Sequence, residues 1–268
     1  MSAFLMAGMT FTGLAQERFT AETMWKLGRL SDVQLAPQGG SIIYGVTWYD
    51  AATNKGNRDI YKLDPNAESP RRLTEFAGSE FNAVWRPDGK KIGFLSAESG
   101  SVQLWEMGPH GESKEQITNI EGGISGFLYS PDMQYIAYAK DVKIEQDVHD
   151  RYPDLPLADA LIYDDLMYRH WDSWHDYAYS HIFIAPYNNG KPGEGEDIMP
   201  GEPWDSPMTP FGGMEQIAWS PDGKALAYTC KKLKGRDYAV STNSDIYLYD
   251  LASETTENLS ESNPGYDQ

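Results

Sequence analysis

A near-repeat is the feature that most constrains how this chain folds. An aromatic residue, a turn beginning Pro-Asp and an alternating apolar strand recur at 85–94, 129–138 and 219–228, and a weaker copy occupies 35–44. Proline sets φ in such a turn, aspartate caps it, and glycine, where it is present, adopts the positive φ. Each copy therefore predicts a strand, a tight turn and a second strand.

The repeat has a period in the forties. The prolines at 37, 87, 131 and 221 are 50, 44 and 90 residues apart, and the last interval fits one period plus an insertion. A further strand follows each turn, at 59–63, 103–107, 181–184 and 245–249, and short strand starts occur at 72–74, 116–118 and 258–260. Several strands per unit at this period predict the blades of a β-propeller, and a β-sandwich is the alternative.

The fold class predicted is all-β: a partial β-propeller of about four antiparallel blades with an acidic, partly helical insertion. Residues 16–268 form this propeller part, and the insertion spans 141–215. Because an open propeller leaves an unpaired edge, we interpret the chain as an N-terminal fragment; a closed four-bladed ring is the alternative. A short helix, N-capped by Thr20, is predicted over 20–27.

The start of the chain predicts export. Residues 3–15 are uncharged, mostly apolar and small, and end in Gly-Leu-Ala, which is typical of a signal-peptide cleavage site. Residues 1–15 are therefore predicted to be a signal peptide, incomplete because it lacks a positively charged start, and the protein to be periplasmic or secreted. A buried N-terminal segment is the alternative.

Charge and cysteine content exclude several functions. The formal net charge is −18, so a nucleic-acid partner and an anionic membrane surface are disfavoured, and no membrane insertion is expected after signal cleavage. The one cysteine, Cys230, follows an apolar stretch and is predicted to be a buried small hydrophobe. No cofactor and no metal are expected, because the spacings of His170, His175 and His181 match no ligand signature.

The insertion is the candidate binding region. Residues 141–215 contain 16 acidic and 4 basic residues, a net −12 of the total −18. Within it, residues 161–177 mix carboxylates, an arginine, two histidines and two tryptophans, a combination that is costly to bury and typical of a binding surface. The structural alternative is that Arg169 pairs with Asp165 or Asp172 on one face of a helix.

Four strings outside the turns carry a resemblance to a known family. They are Asn-Ile-Glu-Gly-Gly-Ile-Ser-Gly-Phe at 119–127, Asp-Leu-Met-Tyr-Arg-His-Trp-Asp at 165–172, Asp-Ile-Met-Pro-Gly-Glu-Pro at 197–203 and Ser-Thr-Asn-Ser-Asp-Ile-Tyr at 241–247. With the blade turns, they resemble the N-terminal portion of bacterial dipeptidyl peptidases in the prolyl oligopeptidase family of serine peptidases. The resemblance covers nearly the whole chain.

The resemblance implies a division of labour. In that family a propeller precedes an α/β-hydrolase domain, which supplies the catalytic Ser, Asp and His, so no catalytic residue is assigned to this chain. It implies release of dipeptides from free N-termini, with hydrophobic residues favoured before the cut, and it allows a homodimer of the whole protein. The alternative function is a non-catalytic, TolB-like periplasmic propeller that binds protein partners.

The same resemblance implies that this chain binds the substrate's free ammonium group. An ammonium taken out of water needs a carboxylate partner, and related enzymes supply it from a propeller insertion. The expected substrate-binding residues are Asp165 or Asp164 on the amine, with Arg169, Trp171 and Trp174 shaping the pocket. Glu215, at the end of the insertion, is the alternative carboxylate.

Overall fold

A computed structural model describes residues 18–188 and 190–267. Within them, four antiparallel sheets follow one another along the chain, as the repeat predicts, and a two-stranded fifth sheet lies in the insertion. The predicted signal peptide, residues 1–15, lies outside the described residues. In the described part of the chain, no helix is long and apolar enough to cross a membrane.

The first two blades are regular. Blade 1 consists of β1 Arg29–Leu35, β2 Ile42–Asp50, β3 Lys55–Leu63 and β4 Arg71–Arg72, and blade 2 of β5 Glu80–Trp85, β6 Ile92–Ser96, β7 Gln103–Met107 and β8 Glu115–Gln116. Helix α1, Ala21–Trp25, precedes them. Its N-cap is Thr20, as predicted, but it ends before Leu27. Trp25 contacts the Tyr49 ring of β2, yet no residue of the helix is buried, so tertiary packing does little to extend it.

Blade 3 is interrupted after its second strand. It begins with β9 Gly126–Tyr129 and β10 Tyr135–Lys143; residues 144–177 then leave the sheet and carry α2 Val148–Arg151 and a hairpin of β11 Arg169–His170 and β12 Ser173–Trp174. The blade resumes with β13 Ala178–Asn188, β14 Lys191–Pro192 and β15 Glu196–Asp197. The predicted insertion, 141–215, thus includes the third and fourth strands of this blade. The segments that lie outside the four blade sheets are 144–177 and 198–216.

Blade 4 completes the described sheets. It consists of β16 Ile217–Trp219, β17 Ala225–Cys230, β18 Asp245–Asp250 and β19 Thr255–Asn258, with α3 Gly235–Val240 between its second and third strands. A 3-10 turn at Met214–Gln216 leads into β16. Every strand pairs antiparallel with the next in its blade.

The repeated turns are equivalent in hydrogen bonding. In each, the residue before proline donates its N–H to a carbonyl five residues on, and the residue two after proline donates back to that first residue's carbonyl. The donor–acceptor pairs are Ala36–Ser41 and Gly39–Ala36, Arg86–Lys91 and Gly89–Arg86, Ser130–Tyr135 and Met133–Ser130, and Ser220–Ala225 and Gly223–Ser220. The four prolines therefore occupy matching turns, as predicted.

Three apolar clusters hold neighbouring blades together: one joins blades 1 and 2, one joins blades 2 and 3, and one joins blades 3 and 4. Trp85 and Tyr129 are buried in them as predicted, whereas Trp219 is only partly buried and stacks on Tyr135 of blade 3. Among the described residues no such cluster joins blade 4 to blade 1, and Leu30 and Leu35 of β1 are exposed. This favours the partial propeller over the closed ring.

Strand direction gives the molecule two different faces. Strands alternate in direction, so the connections between first and second strands emerge on one side, which we call the turn face. The connections between second and third strands, and those between blades, emerge on the opposite side, where β1 begins and β19 ends.

Candidate functional site

A cavity of about 510 Å³ opens on the side opposite the turn face. It is enclosed by the end of β10 and start of β13, by the segment 165–176, by the connection 203–210 between blades 3 and 4, and by residues 233–238 before and within α3. The last three are connections of the kind that topology directs to this side, and the first is a pair of strand ends on the same side, so we call it the cavity face.

Carboxylates dominate the charged lining of the cavity. Five acidic side chains line it, against one arginine, one lysine and two histidines. They are Asp141, Glu145, Asp165, Asp176 and Asp205, with Arg169, Lys234, His170 and His175. The sequence pattern predicts only Asp165 among the five carboxylates.

Asp205 is the most fixed of these carboxylates. Its Oδ1 accepts a hydrogen bond from the Ser180 N–H at 2.8 Å, and its Oδ2 accepts one from the Thr209 hydroxyl at 2.8 Å. Burial raises the pKa of Asp205, although these two bonds oppose the rise. Loss of hydration likewise raises the pKa of Asp141, and the nearby charge of Asp176 adds to it. A cation entering the cavity would relieve this accumulation of negative charge.

Glu145 belongs to a second group of lining residues, together with Tyr179 and His175. Its Oε1 accepts a hydrogen bond from the Tyr179 hydroxyl at 2.6 Å, and its Oε2 lies 3.9 Å from Nε2 of His175. The His175 ring in turn packs on the Tyr179 ring, with centroids 4.8 Å apart. The Tyr179 hydroxyl, held by a carboxylate and partly buried, has a raised pKa and remains a donor.

The two adjacent aspartates predicted from the sequence separate in the structure. Asp164 pairs with Arg151 at 2.8 Å and is 72% exposed, and it does not line the cavity. Asp165 lines the cavity, and the Leu166 N–H donates to its Oδ1 at 2.8 Å.

The Asp165 carboxylate lies against Gly235, the first residue of α3. A Cβ at Gly235 would lie 2.7 Å from both carboxylate oxygens, and φ at Gly235 is +54°. Glycine at this position therefore allows the insertion to approach blade 4 closely.

The remaining predicted residues divide in the same way. Arg169, Trp171 and Trp174 all line the cavity, but they belong to the β11–β12 hairpin and not to a helix, so no helical ion pair forms. The Arg169 guanidinium instead lies over the Trp174 ring, 5.1 Å from its centroid. Glu215 is exposed and away from the cavity, where its Oε1 accepts a hydrogen bond from the Gly213 N–H at 2.9 Å.

Cys230 is buried in the core between blades 3 and 4, as predicted. Burial raises the pKa of its thiol to about 12, so it is a packing residue and not a nucleophile. Across the described ranges, no group of three or more His, Cys, Asp or Glu side chains is arranged to hold a metal ion.

Comparison with known proteins identifies the family. The chain is 44% identical over 251 residues to dipeptidyl-peptidase 5 from Porphyromonas gingivalis, a match that covers 94% of this chain and 36% of that relative. The chain corresponds to the N-terminal propeller portion of the dipeptidyl-peptidase 5 family. It thus spans about a third of the length of this relative. No protein-family model matches the chain.

Solved structures agree on the fold. An acylaminoacyl peptidase in complex with Z-Gly-Gly-Phe-chloromethyl ketone matches with a TM-score of 0.63 at 17% identity, over 89% of this chain and 33% of that one. TolB from Acinetobacter baumannii matches with a TM-score of 0.51 at 18% identity, over 86% of this chain and 42% of that one. At these identities both likenesses establish the propeller fold alone.

Proposed function

We propose that this chain is the substrate-selecting propeller portion of a secreted serine exopeptidase that releases dipeptides from peptide N-termini. We further propose that the acidic cavity receives the free ammonium group of the substrate. The observation that carries the proposal is the cavity itself, in which five carboxylates from the end of β10, the segment 144–177 and the connection between blades 3 and 4 converge. The name of the 44% identical relative, dipeptidyl-peptidase 5, supports the reaction.

The chemistry of an ammonium group fits this lining. An ammonium carries one charge and three donors, and removing it from water is costly unless carboxylates replace the lost hydration. The lining has five carboxylates but only two permanently charged cations, Arg169 and Lys234, so hydrogen-bond acceptors are in excess. An N-acetylated peptide has no such charge, so the cavity favours peptides with a free N-terminus.

Asp165 is the carboxylate best placed to meet a ligand. Asp205 and Glu145 already accept hydrogen bonds from Thr209 and Tyr179, whereas Asp165 accepts one bond from its neighbour's N–H and is exposed in the cavity. We assign Asp165 the direct contact with the amine. The fixed carboxylate of Asp205 supplies longer-range attraction.

The location of the cavity supports a role next to a catalytic domain. The strand β1 begins, and β19 ends, on the cavity face. An α/β-hydrolase domain connected at either point would border the cavity, and a peptide held there by its amine would present its second peptide bond outward. We therefore propose the hydrolase domain as the partner of this propeller.

The partner is tested by the gene sequence downstream of codon 268. A Gly-x-Ser-x-Gly string followed by an aspartate and a histidine is expected within a few hundred codons. A continuation without this string would contradict the peptidase assignment and favour a non-catalytic propeller that binds protein partners.

The amine contact is tested by Asp165→Asn in the full-length enzyme. Loss of a charge-assisted bond to the ammonium should reduce kcat/KM on a dipeptidyl substrate by roughly 30- to 1000-fold. Asp164→Asn and Glu215→Gln are matched controls, because both carboxylates lie outside the cavity, and each should stay within a few-fold of the parent. Retention of activity by Asp165→Asn would show that the amine is recognised elsewhere.

Secretion is proposed from residues 1–15. Cell fractionation of a strain that carries the gene with its own start should place the protein in the periplasm or medium, with residues 1–15 removed. A cytoplasmic protein that retains these residues would contradict this proposal.

A further inference from the structure

A smaller hollow, lined mainly by aromatic and aliphatic residues, adjoins the acidic cavity. It has a volume of about 410 Å³ and is lined by Leu166, Met167, Tyr168, Arg169, Trp171 and Trp174. All of these residues except Tyr168 also line the acidic cavity, so the two spaces are contiguous. No carboxylate lines the hollow; five of its six lining side chains are apolar or aromatic, and the sixth is the charged side chain of Arg169.

Trp171 forms the most prominent wall of the hollow. It lies at the tip of the β11–β12 hairpin, and 68% of its surface is exposed. The centroids of the Trp171 and Phe211 rings are 5.3 Å apart in a T-shaped arrangement. This contact connects the insertion to the segment between blades 3 and 4. An exposed tryptophan at a hairpin tip gains little from burial within this chain, so its apolar surface remains available to a ligand.

We infer that this hollow receives the side chain of the substrate's first residue, and that Trp171 makes the enzyme select large apolar residues there. The inference depends on the proposed amine site. The amine and the first side chain branch from the same Cα, so a ligand whose ammonium lies at Asp165 directs that side chain into a space next to the acidic cavity. Of the two spaces, the hollow is the one with no carboxylate in its lining, and two tryptophans, a tyrosine, a leucine and a methionine surround it.

Charge strengthens the selection. An aspartate or glutamate at the first position would add a sixth carboxylate to the five that line the cavity, and like charges repel; the attraction of Arg169, which lines the hollow, offsets part of this. A glycine leaves the hollow empty. Leucine, methionine or phenylalanine fills it and removes apolar surface from water.

The test is calorimetric titration of the 268-residue chain with four short peptides. Three have a free amine and begin with Leu, Phe or Gly before a common Ala-Ala-Ala tail, and the fourth is the N-acetylated Leu peptide. We expect the Leu and Phe peptides to bind roughly 10- to 100-fold more tightly than the Gly peptide, the range that one apolar subsite provides.

The informative variant is Trp171→Gly. Since φ at Trp171 is +49°, glycine keeps the backbone of the hairpin tip without strain while the ring is removed. The preference for Leu over Gly should fall to within a few-fold, and affinity for the Gly peptide should not change. Leu166→Ala, on the other wall, should lower the preference in the same direction. Trp48→Ala is the matched control, because this exposed tryptophan of β2 lines neither space.

Each result separates the two proposals. If both wall variants keep the Leu preference while the acetylated peptide binds poorly, the subsite inference is wrong and the amine site stands. If acetylated and free peptides bind equally, or no peptide binds, the amine site fails and the subsite inference fails with it.

Discussion

The turn face and the cavity face of this molecule differ in how much their connections vary from blade to blade. On the turn face, four different sequences form one turn with the same pair of hydrogen bonds. On the cavity face, the connection between second and third strands is 51–54 in blade 1, 97–102 in blade 2, 144–177 in blade 3 and 231–244 in blade 4. Blade packing fixes strand ends and leaves the connections on this side free to vary, so a binding site can be built there without changing the core.

The largest effect expected from this difference concerns two phenylalanines. Phe94 in β6 is fully buried between blades 1 and 2, whereas Phe211 on the cavity face is 78% exposed. Phe94→Ala should lower the free energy of unfolding by about 3–5 kcal/mol, because it removes a large side chain from a packed core. Urea denaturation followed by circular dichroism measures it.

Phe211→Ala is the matched control for that measurement. The same chemical change at an exposed site should stay within about 0.5 kcal/mol of the parent. Equal losses for the two variants would mean that the cavity face is packed as tightly as the blades, and the distinction between the faces would fail.

A smaller effect, on how stability depends on pH, is expected near the start of the third strands, which begin on the cavity face. In the third strand of each blade, one polar residue forms a hydrogen bond to the fourth strand of that blade or to the linker after it. The pairs are Asp59 with Arg72, Gln103 with Thr118, His181 with Asp197, and Asp245 with Asn258. The position is shared while the chemistry differs, so among these four residues we expect only His181, in blade 3, to make stability depend on pH near neutrality.

His181 is held as an imidazolium. Its Nδ1 lies 2.8 Å from the Asp197 carboxylate and its Nε2 lies 2.8 Å from the Glu202 carbonyl, and both of these partners accept hydrogen bonds. Burial opposes the charge, but the bonds to Asp197 and Glu202 outweigh it and raise the pKa of His181. Its stabilisation is therefore complete below about pH 6.5, the unfolded value, and is lost as pH rises through the folded pKa.

His181→Gln tests this account, since blade 2 has glutamine at the matching position. The parent should lose stability as the pH rises above about 6.5, and the variant should lose less, as measured by urea denaturation at each pH. His110→Gln, at an exposed turn, should keep the parent's slope. A slope unchanged in His181→Gln would show that other groups cause the pH dependence.

The difference between the two faces also explains which parts of the structure can be predicted from the sequence. The blades are predictable because proline, aspartate and glycine determine a turn locally, and alternation determines which side of a strand is buried. Asp141 and Asp205 are 64 positions apart in the chain, and no spacing rule brings them to one cavity. Their meeting depends on how the connection between blades 3 and 4 folds back over the end of β10.

Individual charges in the insertion were the least predictable. Asp164 and Asp165 differ by one position, yet Arg151 pairs with the first and Gly235 leaves room for the second, and both of these partners are distant in sequence. Glu215 stands at the predicted end of the insertion, but its own 3-10 turn provides it with the Gly213 N–H. A hairpin replaces the expected helix face around Arg169, because local charge spacing does not decide backbone conformation there.

The smallest expected effect tests the uniformity of the turn face. Three of the four turns have glycine at the residue two after proline, with φ of +75° at Gly39, +66° at Gly89 and +71° at Gly223, whereas blade 3 has Met133 at +58°. A side chain in this conformation costs roughly 1–2 kcal/mol, and glycine's greater freedom when unfolded offsets part of that. Met133→Gly should therefore stabilise the protein by about 0.5–1 kcal/mol, and Gly39→Ala, with no atom within 4 Å of the new Cβ, should destabilise it by a similar amount. Thermal and urea unfolding of both variants measure the pair, and shifts of the same sign would mean that the turns are not equivalent.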